Sequence, residues 1–275
     1  MKKRLLVVVV TVLTAFAGGC GGDDPVFYVT STIVSHETTR DVHVRAPDAE
    51  GPWPVVNALH GLGGRAADMA IMAEALASRG FVVFAASGRT TEAVEQGRFD
   101  DLVRDTECGY RFARTIAEDY GGDLDQPVTM VGYSFGASGA LSFGLEEAAF
   151  GPGGAYEECF SGAPRPDVIV AVSGCHYEFE GSSFGFDTTG FGNNDAALVL
   201  VVGENDPVCA PWQSEDAADA LAAEGYDVDF VEIPNGNHFS VIFHDLVDDE
   251  WLTAPEEPAG HAVVETILDA IDAAR

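Results

Sequence analysis

From Trp53 onward, short apolar runs alternate with longer stretches whose apolar positions recur at helical spacing. The runs occupy residues 54–59, 81–86, 128–131, 168–172, 197–202 and 228–233. The helix-like stretches occupy 66–79, 100–120, 137–149, 214–224 and 259–274. A strand that is apolar throughout needs cover on both faces, and helices between the strands supply it. Strict alternation of this kind predicts an α/β fold built on a mostly parallel, doubly wound sheet. Ahead of it, 26–35 and 41–45 alternate apolar and polar residues, as half-buried antiparallel strands do. No internal repeat interrupts the pattern, so residues 26–275 are expected to form one domain. The exception is 176–194, where Phe179, Phe184, Phe186 and Phe191 sit among Gly, Ser, Thr and Asn. A loop of that length after a strand end has two readings, a rim over a ligand crevice or an excursion packing its rings inward.

The first residues carry a different signal. Met1-Lys2-Lys3-Arg4 is a basic start, and 5–17 is an apolar run too short to span a bilayer comfortably. It ends in Ala17-Gly18-Gly19-Cys20 and a flexible 21–25. Small residues leading directly to a cysteine resemble the lipobox of bacterial lipoproteins, with Ala17 where Leu is usual. That resemblance implies a signal peptide over 1–19, a lipidated Cys20 heading a tether over 20–25, and a lipid anchor in a bacterial membrane. An ordinary secretory signal is the alternative, and both mean export.

Charge narrows the partners more than the chemistry. With 14 basic and 45 acidic residues the formal charge is −31. Loss of Lys2, Lys3 and Arg4 with the leader leaves 11 basic residues, near −34. Such an excess of carboxylates repels nucleic acid and anionic lipid surfaces, so nucleic acid is not an expected partner. A monomer is expected. Export puts Cys108, Cys159, Cys175 and Cys209 in an oxidising compartment, where an even number favours disulfides. Three pairings are possible; if Cys175 and Cys209 each lie just past the ends of neighbouring strands they can meet, which leaves Cys108 for Cys159 on adjacent helical segments. No ligand spacing for a metal occurs.

The run at 128–131 leads straight into Gly132-Tyr133-Ser134-Phe135-Gly136, with a small-residue helix after it. A strand–Gly-x-Ser-x-Gly–helix unit turns so sharply that only glycine fits at the flanks, and the serine Oγ is left at the tip. A free hydroxyl is a poor nucleophile, so a base must take its proton. Of His36, His43, His60, His176, His238, His244 and His261, only His238 stands in the loop directly after the last apolar run; His244 is second choice. Between Ser134 and His238, a run ends in Gly203-Glu204-Asn205-Asp206-Pro207. Asp206 is placed to hold the imidazole, with Glu204 as the alternative. The oxyanion donors expected are the backbone N–H groups of Phe135, after the nucleophile, and Leu62, in Leu59-His60-Gly61-Leu62-Gly63-Gly64. His60 reads as a brace for that loop. Tyr133, Trp212 and Phe184 are candidates for substrate contact.

These residues resemble the α/β-hydrolase superfamily, with the chain order Ser…Asp…His. The segment Glu118-Asp119-Tyr120-Gly121-Gly122-Asp123 is similar to one common in secreted carboxylesterases. The acid and base loops resemble those of dienelactone-hydrolase-like esterases and polyester hydrolases. Tyr133, where many relatives carry His, and Ala137, where Gly is frequent, depart from the pattern without removing a catalytic group. The resemblance implies an eight-stranded, mostly parallel sheet and cofactor-free ester hydrolysis through an acyl-enzyme. Two other readings keep the fold: a peptidase or amidase on the same triad, and an exported lipoprotein that binds without catalysis.

Overall fold

A computed structural model of the chain describes residues 12–13, 26–35, 38–90, 99–146, 164–179, 182–183, 186–192, 195–242, 244–247, 250–253 and 258–275. The strands are β1 (Val12–Leu13), β2 (Val26–Ser35), β3 (Thr38–Pro47), β4 (Val55–Leu59), β5 (Val82–Ala86), β6 (Thr129–Tyr133), β7 (Val168–Val172), β8 (Glu178–Phe179), β9 (Ser182–Ser183), β10 (Ala197–Gly203), β11 (Val228–Ile233), β12 (His244–Val247) and β13 (Glu250–Thr253). The α-helices are α1 (Ala70–Ala77), α2 (Phe99–Ile116), α3 (Phe135–Leu145), α4 (Pro211–Ala223) and α5 (Pro258–Ala273).

One sheet carries the order β1-β2-β3-β5-β4-β6-β7-β10-β11. The six strands from β5 to β11 pair in parallel. β2 and β3 pair antiparallel at one end. Those eight are the expected strands. The ninth is β1, two residues from the expected leader that pair antiparallel with β2. Along β4 and β7 successive residues go to opposite faces. Val55, Ile169 and Ala171 join a core under α2, α3 and α4 with Tyr110, Phe112, Leu141 and Leu221. Val56, Val168, Val170 and Val172 join the other, under α1 and α5, with Met72, Leu76, Val263 and Ile267. A period of two thus fills two cores at once. β11 departs from the expected two-sided burial: it is the sheet edge, and Asp229, Phe230 and Glu232 are exposed.

The order matters for function. The chain goes from β4 to β5 on one side of β4, then crosses back to β6 on the other. Open α/β sheets leave a crevice beyond the strand carboxyl ends at such a reversal. The loops after β4 and β6, which carry Leu62 and Ser134, both open there.

Candidate active site

Ser134 sits between β6 and α3 at φ 55°, ψ −122°, a backbone conformation that L-residues avoid. The turn is tight enough that a Cβ on Gly132 would collide with the Gly136 carbonyl, and one on Gly136 would lie 2.5 Å from the His60 carbonyl oxygen. Both glycines of the elbow are therefore steric requirements. The Ser134 N–H donates to the Val172 carbonyl of β7 at 2.8 Å, which ties the strained turn to the sheet.

The expected base and acid meet this serine. Ser134 Oγ lies 3.2 Å from His238 Nε2, and His238 Nδ1 lies 2.8 Å from Asp206 Oδ2. The second Asp206 oxygen, Oδ1, accepts the backbone N–H groups of Val208 and Cys209, each at 2.9 Å. All three side chains are at least nine-tenths buried. A carboxylate with both oxygens occupied is fixed in direction, and it holds the proton on Nδ1 so that Nε2 faces the serine.

The acid and base loops zip onto each other. Glu204 N–H donates to Ile233 O (3.0 Å), Asn205 N–H to Gly236 O (2.8 Å) and Asn235 N–H to the Glu204 carboxylate (2.9 Å). Glu204, the alternative acid, is thus engaged with the base loop's backbone. A Cβ on Gly203 would lie 2.5 Å from Gly236 C, so this approach also needs glycine. Asn237 Oδ1 accepts the Phe239 and Ser240 N–H groups and caps the short turn that follows His238. Tyr133, expected to touch substrate, also has a holding role: its hydroxyl donates to the His238 carbonyl at 2.9 Å.

Cys175 and Cys209 form the expected disulfide, from the end of β7 to the acid loop. Cys209 Sγ lies 4.0 Å from Ser134 Oγ, and the bridge packs with Phe135, Leu62 and Val208. Cys108, on α2, is buried and disulfide-bonded. Its expected partner Cys159 lies outside the described residues, as do Phe184 and Cys20.

Leu62 and Ser134 line a cleft of about 300 Å³, with Met69, Val208, Phe239 and Ile242 supplying apolar wall and Asp68 at its edge. Asp68 is the cleft's one acidic side chain among the described residues, and no Lys or Arg lines it. His60 is buried, borders the cleft and braces the loop. Its Nε2 accepts the Gly88 N–H (2.9 Å), so Nδ1 carries the proton and donates to Gly61 O (2.7 Å). Burial lowers its pKa and keeps it neutral. Trp212 stands away from the cleft, 41% exposed, its ring 5.7 Å from that of Tyr177. In the 176–194 loop, Tyr177, Phe186 and Phe191 pack against the core beneath α3, and none of its described residues lines the cleft. Sequence reading missed Thr90 and Asp68. Asp68 comes from the short 3-10 helix Ala66–Met69 and Thr90 from the segment after β5, and only the fold brings either beside the Leu62 loop.

No family model and no curated protein matches the chain. Solved structures do. A bacterial heroin esterase superposes at TM-score 0.65 and 15% identity, over 91% of this chain and 85% of that one. A protein described as a dienelactone hydrolase, from Klebsiella pneumoniae subsp. pneumoniae, does so at 0.63 and 15%, over 90% and 99%. A thermophilic esterase of the planctomycete Thermogutta terrifontis, with propionate bound, does so at 0.64 and 15%, over 86% and 90%. The overall fold persists where sequence identity does not, and this chain has the α/β-hydrolase fold.

Proposed function

We propose that this protein is a serine hydrolase that cleaves carboxylic esters through an acyl-enzyme. The observation that carries the reading is the hydrogen-bonded line Ser134 Oγ, His238 Nε2, His238 Nδ1, Asp206 Oδ2, opening on an apolar cleft. Ser134 Oγ attacks the ester carbonyl while His238 Nε2 takes its proton, and Asp206 stabilises the imidazolium. The carbonyl oxygen gains negative charge, received by the N–H groups of Leu62 and Phe135, the latter in the first turn of α3. The intermediate collapses as His238 returns the proton to the leaving alcohol. Water, deprotonated by His238, then attacks the acyl carbon and frees Ser134. The esterases with the same fold support ester over amide cleavage.

The cleft is at the small end for a ligand site, and its walls away from Ser134, His60, Tyr133 and His238 are mostly apolar, with Asp68 the one carboxylate among the described residues, which favours short, uncharged esters. The test is hydrolysis of p-nitrophenyl butyrate by wild type and Ser134→Ala, with a fluorophosphonate probe on both. The expected result is turnover and probe labelling in wild type only. Equal rates, or no labelling of wild type, refute the reading; an anilide cleaved faster than the ester moves it to amidase.

Export, with lipidation at Cys20, is the proposed setting. The disulfide-bonded cysteines fit it, and no described helix is long and apolar enough to cross a membrane. Cys20→Ser is expected to move the protein from the membrane to the soluble fraction.

A further inference from the structure

We propose that Thr90 is a positioning residue for the oxyanion loop: it aims the Leu62 N–H without touching the substrate. The proposal rests on the serine-hydrolase reading above. It starts from the Gly61 carbonyl, which accepts hydrogen bonds from His60 Nδ1 (2.7 Å), Thr90 Oγ1 (3.1 Å) and the Gly64 N–H (3.2 Å). The same Thr90 oxygen accepts the Gly63 N–H at 3.0 Å. One hydroxyl thus donates to the residue before Leu62 and accepts from the residue after it.

Gly61 C=O and Leu62 N–H belong to one planar peptide unit, in which the two bonds point opposite ways in the trans form. Three donors gathered on the carbonyl side therefore turn the Leu62 N–H to the other side. That side is the cleft. Leu62 lines it, and the Gly61 backbone is so close to the nucleophile that a Cβ there would lie 2.9 Å from Ser134 Cβ. Thr90 itself is 2% exposed and lies behind the loop, outside the cleft lining.

The clamp is anchored. Arg89, the neighbouring residue, grips Asp105 of α2 through Nε and one terminal nitrogen at 3.0 and 2.8 Å. Its backbone N–H reaches the same carboxylate at 2.8 Å. The segment holding Thr90 is thereby fixed to a helix rather than free to follow the glycine-rich loop. Loss of an oxyanion donor costs about 10²–10³ in kcat, and loss of its aim costs a part of that.

The experiment compares wild type, Thr90→Val and Thr90→Ser on p-nitrophenyl butyrate. A boronic acid serves as tetrahedral mimic, and thermal melting is followed alongside. Thr90→Val is expected to lower kcat about 10- to 100-fold with KM within about threefold. Boronate affinity should fall in step with kcat, and Thr90→Ser should keep both within about threefold of wild type. A structural role alone would lower the melting point without weakening the boronate selectively. If valine is not accommodated, Thr90→Ala carries the same test. Wild-type kcat in Thr90→Val, or an equal loss in Thr90→Ser, overturns the proposal. An inactive, unlabelled wild type instead overturns the serine-hydrolase reading beneath it.

Discussion

Replacing both Cys175 and Cys209 by alanine separates two roles of the disulfide beside Ser134. The bridge closes a loop with a sequence separation of 34. Chain-entropy arithmetic for a loop of that length gives about 4 kcal/mol of stabilisation, through restriction of the unfolded chain. At this protein's size that corresponds to a fall of about 8–15 °C in melting temperature. Cys175, Cys209 and Phe135 are buried together, so the void left by two sulfurs adds to the loss. Activity should suffer less. The two N–H bonds that fix Asp206 are local to the acid loop, within three residues of the carboxylate, and survive without the bridge. The expected result is a large fall in melting temperature by calorimetry, with kcat on p-nitrophenyl butyrate down less than about tenfold at 25 °C. A melting shift under about 3 °C would show that sheet packing alone constrains the loop. A loss of kcat beyond about 10³ in a folded double variant would refute local anchoring of Asp206.

Other predictions follow from the same geometry. Gly136→Ala places its Cβ against the Leu59 and His60 carbonyl oxygens, at 2.7 and 2.5 Å, and should leave little soluble folded protein by size exclusion and circular dichroism; a folded, active alanine variant would refute the steric reading of the elbow. His176 is fully buried, and burial lowers its pKa from 6.5 to about 4. Between those values the unfolded chain binds the proton and the folded one does not, so stability is complete above pH 6.5 and falls as pH drops toward 4, by about 3 kcal/mol from this group. His176→Gln should flatten that limb in urea titrations at pH 4.5 and 7, and an unchanged slope would exclude His176 as its source. Asp68→Asn should raise kcat/KM for an anionic hemisuccinate ester about two- to fivefold at low salt, leave a neutral ester unchanged, and lose the effect in about 0.5 M NaCl. An equal gain for both esters would place the effect elsewhere.

Period and punctuation in the sequence determined much of this protein by themselves. Alternation of apolar runs with helical stretches specified the mostly parallel sheet, because a helix between successive strands crosses over one face and returns the chain in the same direction. The elbow was legible because its constraint is local: strand, two obligate glycines and helix follow one another without a break between Thr129 and Leu145. Asp206, His238 and the pairing of Cys175 with Cys209 were legible from their positions after strand ends, since parallel strands bring their carboxyl-end loops to one edge. Tertiary structure decided what depends on approach between distant loops. Thr90 reaches Gly61 across 29 residues, and no spacing in the chain announces it. Tyr133 became a holder of His238 because the base loop folds over its hydroxyl. Trp212 was placed outside the cleft by the direction of α4, and Tyr177, Phe186 and Phe191 turned to the core because a packed helix face was within reach. Local rules act through neighbours in sequence, whereas the aim of an N–H group or the wall of a cleft is set by whichever segments the sheet order brings together.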